Sequence, residues 1–146
     1  MAFMNQEKKK ELAPGIKAVL KKYGMKGSIS VRHHSTLIVK IKSGKLDIIE
    51  NSIENTDVDN NPFYSPEDMQ QIVERKRKEG FIGVNYFHID THYSGEVAGF
   101  LKELKSAMMK GNHDNSDIMT DYHDVGWYIE IEVGSYNKPY QLLEVA

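Results

Sequence analysis

The sequence predicts an α+β fold: a single antiparallel or mixed β-sheet with about three helices packed on it. Three observations lead there. Residues 28–32 and 36–42 alternate apolar and polar side chains around a short connection, as a hairpin does. Residues 126–133 alternate more strongly, with Trp127, Ile129, Ile131 and Val133 on one side and Tyr128, Glu130 and Glu132 on the other. Residues 94–110 place Val97, Leu101, Leu104 and Met108 at helical spacing. The chain has 146 residues, enough for one domain with a real core.

Residues 4–23 read as the first helix. Asn5 is its N-cap, Glu7 lies in the first turn, and Ile16, Val19, Leu20 and Tyr23 share a face. Pro14 either kinks this helix or opens a second one, and Gly24 ends it. The hairpin follows, joined by His33, His34 and Ser35, and residues 46–49 are expected to add a third strand. Residues 51–65 are rich in Asn, Asp, Ser and Pro and read as a loop. Ser65, Pro66, Glu67 and Asp68 then have the form of a helix start, with the helix ending at Gly80. Residues 81–91 read as a strand, and Ser94 as the cap of the best helix. Residues 112–121 read as an acidic loop. Pro139 limits the tail, residues 136–143, to an edge strand or a strap. One domain spans residues 1–146, with a basic helix-hairpin unit at 1–45, the loop at 51–65 and an acidic α/β remainder at 66–146.

Charge divides unevenly. Residues 1–45 hold 11 cations against Glu7 and Glu11, a net of +9; the remainder holds 8 cations and 19 anions, a net of −11. The total of −2 conceals two opposite fields. There is no cysteine, which excludes disulfides, thiolate metal sites and cysteine nucleophiles. No apolar run is long enough to span a bilayer, and the start, MAFMNQEKKK, lacks the apolar stretch of a secretory signal. A cytoplasmic protein with no membrane partner is expected. Phosphate-binding glycine loops and the GxSxG motif are absent.

Two blocks, GIKAVLKKYGMKGSISVRHHSTLIVKIKSG at residues 15–44 and DVGWYIEIEVGSYNKPY at 124–140, resemble the large polyvalent protein associated domains of phages and plasmids, in a small stand-alone phage form. They cover about a third of the chain. The resemblance implies an accessory protein acting in the cytoplasm of an infected bacterium, countering host defence or managing incoming DNA. It brings no catalytic motif onto numbered positions.

Several constellations are candidates for chemistry. His88, Asp90 and His92 would project from one strand face and could hold a divalent transition metal, with His113, Asp114, Asp117, Asp121, His123 and Asp124 nearby to complete a hydrolytic site. The opposing reading is a solvated strand face. Arg32, His33 and His34 at the hairpin tip could recognise phosphate, although only one of the two His-x-Thr/Ser elements of some phosphodiesterases is present. Residues 8–45 could bind nucleic acid through lysines such as Lys17, Lys21 and Lys22, but no aromatics are interleaved with them. Tyr136 and Tyr140 are candidates for a protein-binding patch. The reading that accounts for most of these features is a non-enzymatic accessory protein, needing no cofactor, that binds a host protein or other host macromolecule. A metal-dependent hydrolase and a nucleic-acid-binding module are the alternatives.

Overall fold

The computed structural model describes residues 4–56, 59–60, 62–110, 127–135 and 138–143. Helix α1 (Gln6–Lys22) begins at Asn5, whose Oδ1 accepts the Lys8 amide at 2.8 Å. It passes through Pro14 as one helix. Pro14 lies on the exposed side, and burial of Leu12, Ile16 and Leu20 on the other offsets the missing backbone bond. Gly24 follows in the left-handed conformation (φ +68°) and donates its amide to the Lys21 carbonyl at 3.1 Å. Strands β1 (Met25–Arg32) and β2 (Thr36–Gly44) pair antiparallel, with an irregularity between Lys26 and Gly27.

The chain then makes α2 (Ile48–Glu54), α3 (Pro66–Glu79), β3 (Ile82–Val84), α4 (Ile89–His92), α5 (Gly95–Met108), β4 (Tyr128–Val133) and β5 (Gln141–Leu142). The sheet is mixed, in the order β1-β2-β4-β3. The central pair, β2 and β4, is parallel; β3 runs antiparallel to β4. Strand β5 pairs with Ser43 and Gly44, beyond the end of β4. The expected α+β class with one sheet is what forms.

One face of the sheet carries the core. Leu37, Val39 and Ile41 of β2 join Ile129, Ile131 and Val133 of β4 in a single cluster with Ile16 and Leu20 of α1 and Phe100, Leu101 and Leu104 of α5. The expected helix-hairpin unit is present: Ile16, Leu20, Leu37 and Val39 are buried, and Ile29 and Val31 pack partly buried against them. The opposite face carries Ser28, Ser30, Thr36, Lys40, Tyr128, Glu130 and Glu132 by strand alternation.

Four local expectations need correction. Residues 46–49 add no strand. Asp47 Oδ1 caps α2 by accepting the Glu50 amide at 3.2 Å, and Ile48, Ile49, Ser52 and Ile53 are buried at helical spacing. The loop expected at 51–65 therefore starts only after α2. The strand expected over 81–91 stops at Val84, because Asn85 closes a turn: its Oδ1 accepts the Phe87 amide at 3.1 Å and its carbonyl accepts the His88 amide at 3.0 Å. Ser94 does not cap α5 with its hydroxyl. The Asn51 and Asn55 side chains donate to that hydroxyl at 3.1 and 3.2 Å, so it stitches α2 to the start of α5 instead.

Candidate binding surface

The 11 cations of the first 45 residues divide by what they face. Four are spent inside the molecule. Lys8 is 3.8 Å from Glu11 and covers the Trp127 ring at 5.1 Å. Lys22 donates to Glu103 of α5 at 2.7 Å, and the Tyr23 hydroxyl donates to the same carboxylate, so this trio joins α1 to α5. Its hydrogen bonds to Lys22 and Tyr23 hold the Glu103 carboxyl below its ordinary value, and the bond to Glu103 raises Lys22. Arg32 lies 2.6 Å from Glu130 Oε2 and 3.6 Å from Glu132, and Lys40 is 3.8 Å from Glu132. The Arg32–Glu130 contact is an ion pair without hydrogen-bond alignment, on an oxygen sealed from solvent.

The other seven, Lys9, Lys10, Lys17, Lys21, Lys26, Lys42 and Lys45, enter no ion pair among the described residues. Five of these lie toward one end of the molecule, on different faces of it. Lys17 and Lys21 are one turn apart on the exposed side of α1. Lys26, second in β1, lies opposite Ser43 near the end of β2, which brings Lys42 and Lys45 to the same end of the molecule. The Lys45 amide donates to the Gly24 carbonyl at 3.3 Å, and the Lys45 stem lies against Gly24. Lys21 and Lys45 also oppose the negative end of the α1 dipole, a structural service worth about 0.3–1 kcal/mol each. Lys17, Lys26 and Lys42 lie outside that last turn. The result is a basic corner built from the end of α1, the start of β1 and the end of β2. Lys26, Lys42 and Lys45 escaped the sequence reading as site residues, although the hairpin register would have placed them together.

The histidine candidates behave differently. His33 and His34 are exposed at the hairpin tip, both at positive φ (53° and 56°). This tight turn is held from two sides: the His34 carbonyl accepts the Met4 amide at 2.6 Å and the Ser35 carbonyl accepts the Tyr128 amide at 2.8 Å. His33 and His34 thus mark the end of the hairpin away from the basic corner, and Arg32 is occupied by glutamates. His88 and Asp90 are not on a strand. His88 precedes α4, whose helical path keeps His88 and His92 together (ring centroids 5.6 Å apart) and turns Asp90 toward Lys102 of α5, with which it pairs. Burial, then His88, then Lys76 lower the His92 pKa. Among the described residues no three His, Asp or Glu side chains gather around a common point. The His and Asp residues expected to complete that site, from His113 to Asp124, lie outside the described residues, as does Tyr136.

Tyr140 is turned inward. Its hydroxyl donates to the Leu46 carbonyl at 2.5 Å, and burial raises its pKa strongly. It fastens the tail to the end of β2 and is not part of an exposed aromatic patch. Trp127 is core, with its Nε1 donating to the Met108 carbonyl at 3.0 Å. Among the described residues no helix is long and apolar enough to cross a membrane. Comparison with known families, curated proteins and solved structures finds no match.

Proposed function

We propose that this chain is a phage accessory protein that binds and modulates a host macromolecule, through a basic corner that docks an acidic surface of a host protein. The supporting observation is the group of five lysines that enter no ion pair among the described residues, Lys17, Lys21, Lys26, Lys42 and Lys45, toward one end of a fold that pairs Lys22 and Lys40 with glutamates. Leaving such charge unpaired repels within the fold and favours an anionic partner. The phage setting and a role against host defence come from the resemblance of residues 15–44 and 124–140. The test is capture of partners from bacterial lysate by the wild type and by Lys17→Glu/Lys21→Glu/Lys26→Glu. Salt is compared at about 0.1 M and about 1 M, where the screening length falls from about 10 Å to about 3 Å. The wild type should retain a partner only at low salt, and the triple variant should not retain it. Equal capture by both proteins at both salts would exclude the basic corner.

A further inference from the structure

A second surface is built from parts far apart in the sequence. The Asn85 turn presents Phe87 to solvent at 75% exposure while its amide is fixed by Asn85 Oδ1. Tyr86 lies beside it, ring centroids 4.4 Å apart. Helix α5 then brings two lysines alongside. Lys105 Nζ is 5.6 Å from the Tyr86 ring and 6.0 Å from the Phe87 ring, and donates one of its three N–H bonds to the Tyr86 carbonyl at 3.1 Å. Lys102 pairs with Asp90. These residues and His88 line a groove of about 540 Å³, which is in the size range of small-ligand sites. A larger depression of about 770 Å³ beside α3 sets Arg75 and Lys78 against Glu74 and Glu79, so its charges cancel.

Phe87 is a large apolar ring left exposed beside a lysine ammonium, where a ligand can reach it. A flat ring, two ammonium groups against one carboxylate, and an imidazole are together suited to one ligand chemistry: a planar base attached to a phosphate. We propose that this groove binds an unpaired nucleobase carrying phosphate. Phe87 stacks the base, and Lys102, Lys105 and His88 take the phosphate. The surface is independent of the basic corner and stands or falls separately from it.

Adenosine 5′-monophosphate, ribose 5-phosphate and a labelled single-stranded oligothymidylate are titrated into wild type, Phe87→Ala, Lys102→Met and Lys17→Glu/Lys21→Glu. Phe87 is exposed, so its replacement should leave the melting temperature unchanged. At least one base-bearing probe should bind, and ribose 5-phosphate should bind at least tenfold more weakly. Phe87→Ala should weaken binding about tenfold, in line with the value of one stacked base. Lys102→Met should also weaken it, and the α1 variant should not. Binding of the monophosphate assigns the source as a free nucleotide; binding of the oligonucleotide alone assigns it as an unpaired strand. The proposal is overturned if neither base-bearing probe binds, if ribose 5-phosphate binds equally well, or if Phe87→Ala binds like wild type.

Discussion

Leu37 and Ile38 are neighbours on β2, 0% and 4% exposed, yet they point to opposite faces of the sheet. Only Leu37 belongs to the core cluster. Truncating each to Ala removes similar apolar bulk, about three carbons, or about 2.4 kcal/mol of transfer free energy at roughly 0.8 kcal/mol each. The difference lies in what remains. At Leu37 the hole lies within the buried cluster that the sheet shares with α1 and α5. Rigid neighbours cannot fill it, so a cavity cost of about 1–2 kcal/mol is added, for a total of about 4 kcal/mol. Ile38 faces outward, flanked in register by Ser30 and Glu130. There, side chains and water can close over the gap, so Ile38→Ala should cost about 2 kcal/mol or less. Against a typical total of about 5–15 kcal/mol, the gap is readily measured. Urea denaturation of both variants, with unchanged slope, reads it from the two midpoints. Equal costs, or a larger one for Ile38, would show that the polar face is packed under a second layer and would refute the one-sided core.

Two glycines should respond in opposite directions. Gly15, inside α1, has open space where a Cβ would go, so Gly15→Ala should stabilise by about 0.5–1 kcal/mol in a thermal melt. Gly134 (φ +71°) would drive a Cβ into the Gly80 carbonyl, so Gly134→Ala should destabilise by more than that. Acid should loosen two helix joints. Glu50, bonded to Arg77, and Glu103, bonded to Lys22 and Tyr23, are both held below the ordinary value of 4.5. Their contribution is present above that value and is lost as pH falls through the lower folded values. Glu103→Gln should flatten this part of the melting-temperature profile below pH 4.5, and an unchanged profile would remove the α1–α5 trio from the account.

How much was legible follows the range of the interaction involved. The Asn5 and Ser65 caps, the Gly24 and Gly80 stops and the alternation of β4 depend on neighbours within a few residues, so they could be read directly. Helix α2 was missed because Asn51 and Ser52 interrupt its apolar pattern, and only burial of Ile48, Ile49 and Ile53 shows the helical spacing. The strand expected at 81–91 ends early for a local reason: the alternation of Phe87 and Ile89 mimics a strand, but Asn85 closes a turn before it. With the strand went the shared face of His88, Asp90 and His92.

The sequence by itself determined the class of the fold, the helix-hairpin unit, and the fact that positive charge concentrates in residues 1–45. It could not say which cations remain available. Lys17 and Lys22 look alike on the helix, but Glu103 lies 81 residues beyond Lys22 and reaches it only after α1 packs on α5. Arg32 is lost to Glu130 in the same way, through the parallel pairing of β2 with β4. Tyr86 and Phe87 acquire their lysines only when α5 folds back beside the Asn85 turn. Tertiary structure decided these points because an ion pair or a groove depends on distance in space, and the chain's order along the backbone does not encode that distance for residues so far apart.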